Sequence, residues 1–361
     1  MTEQQVAQDA AAGLGFCVLK TVIAQDSIGE QSMHAWAIPE SRMVVERVRG
    51  SCGDEGWTVS WKGRGWSRSF DDYLGFIRAA RQIGQSSGML IVPSCKYHLP
   101  TPFHPVWKTT EYEYSTRAIL DAYCSPALRT HPSSINLTGT CMPLEKDFSP
   151  TLAGSELATE KRQIIEWLST VPGLIRKAVG PVRVLVGLKL FNSLFDDDFQ
   201  LEMLRTTVAD GRDRPDYLIY ANRLFDPTRD FEGHRGIAVG GPDLSQRNLR
   251  VLGQFHCWVE RQGPGFHRPE ISATGDISSG RMAVEYLLRG CCNFQMHTIF
   301  QLPVTEYRMR TGNKTSRALH MLYFHPQDGF VAWTLHVARR LGLVPSSAIR
   351  LADLLGKSHM I

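Results

Sequence analysis

The chain has 361 residues, 43% of them apolar and 21% charged, with 40 basic against 36 acidic side chains and a net charge of +4. This make-up buries a proper core and excludes a disordered, collagenous or coiled-coil protein. The charge is too small to argue for nucleic acid or an anionic membrane, and no run of about 18 apolar residues exists to span a bilayer.

The first residues, MTEQQVAQDAAAG, are polar and acidic where a secretion signal is basic and then apolar. They open a helix expected over 2–12. Short apolar runs then recur at 16–21 (FCVLKT), 89–93 (MLIVP), 134–138 (SINLT), 182–190 (VRVLVGLKL), 217–222 (YLIYAN), 271–274 (ISAT) and 294–297 (FQMH). Continuous apolar runs of this length suit strands covered on both faces, as in a parallel sheet. Helical spacing fills the intervals at 70–83 (behind Ser69 as N-cap), 111–123, 156–168, 197–208, 245–262 and 280–289. Such alternation predicts an α/β protein, a single (β/α)8 TIM barrel over 1–361 with an insertion or lid at about 35–69 and extended loops near 93–108. Seven strands are counted where the barrel needs eight. The first is therefore expected to be missing from the N-terminus.

Eight cysteines are scattered without a CxxC pair, so reduced thiols in a cytoplasmic protein are expected. His98, His104 and His131, with Cys95, match no zinc spacing, and no metal is expected. The cluster of Trp57, Trp61 and Trp66 beside Lys62, Arg64 and Arg68 reads as a substrate lid rather than a nucleic-acid stacking platform, given the charge.

Barrel chemistry sits at the C-terminal ends of the strands. The polar residues there are Lys20, then Ser94 and Lys96, then Asn136, Thr138, Thr140 and Cys141, then Lys189 and Asn192, then Asn222 and Arg223, and last Thr274, His297 and Thr298. A lone lysine ending an apolar strand usually snorkels or pairs with a carboxylate; two at corresponding barrel positions favour a site. The strongest local segment is ISATGDISSGRMAVEYLLRGCCNFQMHT, residues 271–298. A strand runs into Thr274-Gly275-Asp276, and Ser278-Ser279-Gly280 opens a helix. Loops after the last two strands, joined to a helix N-terminus, form the usual phosphate site of such barrels. An ordinary Gly/Ser turn explains the segment equally well by itself.

That segment resembles the flavin-phosphate stretch of dihydroorotate dehydrogenases, and further matches follow in the family's order. GLGFCVLKTV (13–22) resembles its strand with a flavin-contacting lysine, which falls on Lys20. SINLTG (134–139) resembles LNLSCP and puts the first substrate asparagine on Asn136. VGLKLFN (186–192) resembles GVKLPP and puts the lysine beside the flavin on Lys189. YLIYANRL (217–224) puts a second substrate asparagine on Asn222. Gly240-Gly241 and Arg247-Asn248-Leu249-Arg250 resemble GG…ANVR, and 352–357 resembles the ADFxGK of the soluble, dimeric branch.

The resemblance implies an FMN-dependent oxidoreductase, of pyrimidine biosynthesis or acting on a related small polar ring, as a homodimer without a membrane span. A base on the fourth-strand loop would take one proton and flavin N5 a hydride. The implied cofactor-binding residues are Lys20, Asn136, Lys189, Gly241, Thr274, Gly275, Asp276, His297 and Thr298. Asn136, Asn222 and Ser60 would bind substrate.

Several positions depart from the family. The base position becomes Gly139, so Cys141, two residues on, is the expected base, with Thr140 a weaker candidate and Lys189 as the third catalytic group. The substrate loop becomes Ser60–Trp66, with new tryptophans and cations. Asp276 and His297 replace glycines at the phosphate site, and a carboxylate there opposes a phosphate dianion unless it points away. These departures keep open a different reading, a flavin-free barrel serving as a binding or scaffold protein.

Overall fold

The computed structural model describes residues 1–22, 43–61, 66, 68–96, 105–124, 142–147, 158–180, 182–192, 196–209, 214–231, 233–344 and 348–361. Seven parallel strand positions follow one another. β1 (Phe16–Val18) pairs with β4 (Leu90–Val92), and a bridge from Val22 to Cys95 carries that pairing on to β5 (Ser94–Lys96). β4 and β5 are one strand interrupted at Pro93, which has no N–H to give to a ladder. From β5 the order continues through β6 (Met142–Asp147), β7 (Val184–Phe191), β8 (Tyr217–Asn222), β11 (Glu270–Thr274) and β12 (Cys291–Gln295).

Bonds between strands that are not neighbours show that this sheet is curled. Lys189 of β7 donates to Gln295 of β12 at 3.3 Å, and Gln295 donates to Glu145 of β6 at 2.9 Å. Both bonds cross the interior of a barrel. Among the described residues no ladder joins β12 to β1, so these strands make a partly formed barrel.

The helices cover the outside. α1 (Glu3–Ala11) is closed at its start by a capping box of Thr2 and Gln5. α2 (Phe70–Ser87) has a second box, Ser69 with Asp72, and stops at left-handed Gly88. α3 (Pro105–Tyr123), α4 (Ala158–Val179), α5 (Asp197–Val208), α6 (Pro242–Arg261) and α7 (Gly280–Leu287) follow. α8 (Lys314–Phe324) and α9 (Phe330–Arg340) complete the set. Outward strand residues such as Cys17, Leu19, Leu188 and Leu190 pack beneath them and are buried. Among the described residues no helix is long and apolar enough to cross a membrane.

Two hairpins are added to the barrel. β2 (Met43–Arg49) and β3 (Glu55–Trp61) pair antiparallel inside the expected insertion. β9 (Leu224–Phe231) and β10 (His234–Val239) form the other, unexpected because Pro227 and Gly236 interrupt its pattern. Gly240 N–H donates to Thr58 Oγ1 at 2.9 Å and ties the two hairpins together.

Three expectations need correction. The fourth strand position belongs to β6, MPLEKD, and not to 134–138, which lies outside the described residues. An apolar-run criterion misses β6 because its inward side chains are charged. β12 starts at Cys291 rather than 294, and Met296 and His297 have already left it. Trp66 is no part of a lid. Its ring is buried, stacks on Phe76 at 5.1 Å between centroids and meets Tyr73 edge-on, while its indole N–H donates to Ser69 O.

Gly280 shows how tightly the α8–α9 corner seals the start of α7. A Cβ there would lie 1.9 Å from Phe330 N and 2.4 Å from Leu322 O, both backbone atoms that cannot yield alone. Gly280→Ala is expected to destabilise by about 3 kcal/mol or more. Gly253→Ala, within α6 and with nothing nearer than 4.0 Å, is expected to gain about 0.5 to 1 kcal/mol. Urea midpoints of the two variants against the parent check the pair; a mild Gly280→Ala would refute the packing argument.

Candidate active site at the barrel mouth

Strand alternation aims the site. In β5 and β6 the register pairs Ser94 with Glu145 and Lys96 with Asp147, and both pairs interact inside the barrel. Ser94 Oγ donates to Glu145 Oε1 at 3.1 Å, and Lys96 Nζ lies 3.7 Å from Asp147 Oδ1. The intervening residues face outward, and Lys146 Nζ reaches Cys95 Sγ at 3.4 Å beneath the helices. On β7, Gly187 leaves room for the Tyr217 ring, which a Cβ would meet at 2.1 Å. Two residues on, Lys189 points inward, its Nζ 3.4 Å from Glu145 Oε1. Glu145, Lys189, Gln295 and Ser94 thus form a continuous polar floor, extended by Thr21 at 3.0 Å from Ser94 Oγ.

Above this floor four of the expected residues converge. Lys20 and His297 are exposed at this end, and Lys20, Lys189 and Arg223 all lie close enough for their charges to act on His297. Desolvation, followed by the Lys20, Lys189 and Arg223 charges, holds the His297 imidazole at a pKa of about 4, so it is neutral at ordinary pH. Lys20 is pulled below its ordinary value by desolvation and by Arg223. Such a mouth attracts an anion.

The loop ends are fixed by one side chain of α6. Asn248 Nδ2 donates to Ala221 O at 3.1 Å, to Thr274 O at 3.0 Å and toward Tyr286 Oη at 3.2 Å. It joins the ends of β8 and β11 to α7. Gly275, at φ +107°, passes so close that a Cβ would lie 2.8 Å from that nitrogen. Gly241 is the N-cap of α6 at φ +94°.

Asp276 follows Gly275 at φ +51° and is buried. Its carboxyl meets Ser245 Oγ at 3.0 Å and Ser278 Oγ at 3.4 Å. Desolvation raises its pKa to about 7 against that help. The start of α7 is less open than its sequence suggests. Ser279 Oγ caps Met282 N, and Arg281 N donates to Asp328 O at 2.8 Å.

The structure therefore brings together Lys20, Lys189 and His297, with Arg223, and separately Gly241, Gly275 and Asp276 around α6. Thr274 contributes its carbonyl to the Asn248 node, Thr298 opens a short 3-10 turn after His297, and Asn222 accepts the Asn192 N–H on its carbonyl. Ser60 is fully buried, and among the described residues its hydroxyl has no hydrogen-bond partner. Asn136, Gly139, Thr140 and Cys141 lie outside the described residues. Sequence reasoning missed Glu145, Asp147, Ser245 and the role of Asn248. The EKD triplet was the available signal, since charges at alternate positions of one strand share a face.

No family model matches the chain, and no curated protein matches it. Solved structures do. The chain is similar to DHODH from Eimeria tenella in complex with ferulenol, with a TM-score of 0.54 and 10% identity over 84% of this chain and 72% of that one. The ligand-free form of the same enzyme gives a TM-score of 0.54 and 11% identity over 84% and 74%. The fold is that of a divergent dihydroorotate dehydrogenase-like barrel.

Proposed function

We propose that the chain is an FMN-dependent oxidoreductase of the dihydroorotate dehydrogenase type, acting on a C–C bond of a small polar ring. The observation that carries this reading is the convergence of Lys20, Lys189 and Arg223 on neutral His297 at the C-terminal mouth. The donor set suits FMN at both ends. Cations at the mouth suit a ring that becomes anionic on reduction. Gly241, Gly275, the Ser278 and Ser279 hydroxyls and Thr298 suit its phosphate. Asp276 is the exception when charged and is compatible when protonated.

When bound, FMN supplies a two-electron sink. The chain's own residues do the rest. Lys189, held by Glu145 and Gln295, would stand beside the flavin and orient it. Lys20 and Arg223 add to the field that draws an anionic substrate inward. Asn222, at the C-terminal end of β8, would orient the substrate's amide or carboxylate.

The purified protein is expected to be yellow and to release near-stoichiometric FMN on denaturation. Anaerobic dihydroorotate then bleaches it if dihydroorotate is the substrate. Folded, colourless protein that rejects added FMN would overturn the reading. It would favour the second one, a flavin-free binding or scaffold barrel, which the buried carboxyl of Asp276 in the phosphate loop supports.

A further inference from the structure

The total charge of +4 hides a segregation along the chain. Residues 307–361 carry eight Lys and Arg against two Asp, a net +6, and residues 1–306 are left with 32 basic against 34 acidic side chains, a net −2. The basic excess flanks the α8–α9 corner. Arg308, Arg310 and Lys314 lie at the start of α8, Arg339 and Arg340 lie in the last turn of α9, and all five are exposed. The two aspartates are engaged elsewhere. Asp353 pairs with Arg350 at 3.0 Å, and Asp328 stands 3.9 Å from His325.

The same corner is apolar on its outer side. Phe324, which ends α8, is 62% exposed, more than any other large apolar side chain among the described residues. Tyr323, Val331 and Leu335 are exposed as well. Their contacts make them one patch. Tyr323 lies 6.1 Å from Phe324 and 5.7 Å from Phe330 between ring centroids, and His320 lies 5.5 Å from Phe324. Val331 follows Phe330 and, at intervals of four, shares one face of α9 with Leu335 and Arg339. The fold does not use this side. The corner seals α7 through the backbone of Leu322 and Phe330, and its buried side chains are Leu322, Val337 and Ala338. An apolar patch left outside in this way marks an interaction surface.

Charge chooses the occupant. A two-fold contact with a second copy would lay this basic face against itself, which like charges oppose. Aromatic and aliphatic side chains on a helix corner, with cations on either flank, suit the surface of an anionic bilayer. There the rings sit at headgroup level and each Lys or Arg adds attraction. We propose that the α8–α9 corner docks on an anionic lipid surface. Phe324, Tyr323, Val331 and Leu335 enter the headgroup layer, and Arg310, Lys314 and Arg339 meet lipid phosphates. No span is needed, and the contact requires neither flavin nor turnover.

The test is sedimentation of the purified full chain with vesicles of phosphatidylcholine, with and without about one-third phosphatidylserine. Binding is expected to be at least about tenfold stronger with the anionic lipid and to weaken as salt is raised. Phe324→Ser with Leu335→Ser is expected to weaken it about tenfold or more, through lost apolar contact. Lys314→Glu with Arg339→Glu is expected to do the same through charge. All four side chains are exposed, so urea midpoints are expected to match the parent; Phe324→Ser alone serves if either pair does not fold. Failure of the parent to sediment with anionic vesicles overturns the proposal, as does equal binding to both kinds of vesicle. Binding that only the charge variant weakens also overturns it, and assigns the face to a soluble polyanion instead.

Discussion

Glu145→Ala is expected to cost the fold about 3 to 5 kcal/mol, the loss that follows when one member of a buried ion pair is removed. Glu145 is completely buried and the Lys189 side chain is 16% exposed, so water can replace little of the lost contact. Three groups lose their acceptor together: Lys189 Nζ, Gln295 Nε2 and Ser94 Oγ. Glu145→Gln keeps the shape and one acceptor, and is expected to fall between the parent and the alanine variant. Glu145→Leu with Lys189→Met removes both charges. It is expected to recover most of the loss, since an apolar pair of similar volume replaces a buried ion pair at little cost. Urea midpoints of the four proteins provide the measurement. An alanine variant within 1 kcal/mol of the parent would mean that water reaches the barrel floor.

The second large effect is in the pH dependence of stability. Asp276 titrates near 7 in the folded protein and near 3.8 when exposed. Between those values the unfolded chain has lost its proton and the folded chain has kept it. Stability therefore falls as pH rises through the window, and the loss is complete above about pH 8. The shift corresponds to something on the order of 4 kcal/mol at the upper end. Asp276→Asn removes this slope. Relative to the parent, it is expected to be much more stable at pH 8 than at pH 5. Unfolding curves that move in parallel for the two proteins across this range would show that water or a cation reaches the carboxyl.

Much of the barrel was legible because its outward strand faces are apolar and its helices carry clear caps. β7 and β8 read correctly from VLVGLKLF and YLIYAN, and α2 from the serine and aspartate that close its first turn. The failures have local causes. β6 hides its identity because Glu145 and Asp147 occupy inward positions that an ordinary barrel fills with aliphatic side chains. The β9–β10 hairpin hides because Pro227 and Gly236 break its alternation. For the candidate site, single residues at strand ends were visible, but their mutual arrangement was not. Nothing in a linear reading says that residues 145, 189 and 295 touch, or that Ser245 stands opposite Asp276. Trp66 was misjudged because an aromatic residue beside cations resembles a surface cluster until its packing partners, Tyr73 and Phe76, are known.

The polar floor also sets a schedule for the nascent chain. Gln295 is synthesised 106 residues after Lys189 and 150 after Glu145. At about 5 to 20 residues per second, these two charged side chains wait on the order of 5 to 30 s at the ribosome before the amide that bridges them exists. During that interval an incomplete sheet from β5 to β8 has its inner face unsealed. The chain's last barrel strand, besides extending the sheet, supplies the polar latch that makes the earlier strands safe to bury. Release from a chaperone is therefore expected to follow the emergence of residue 295.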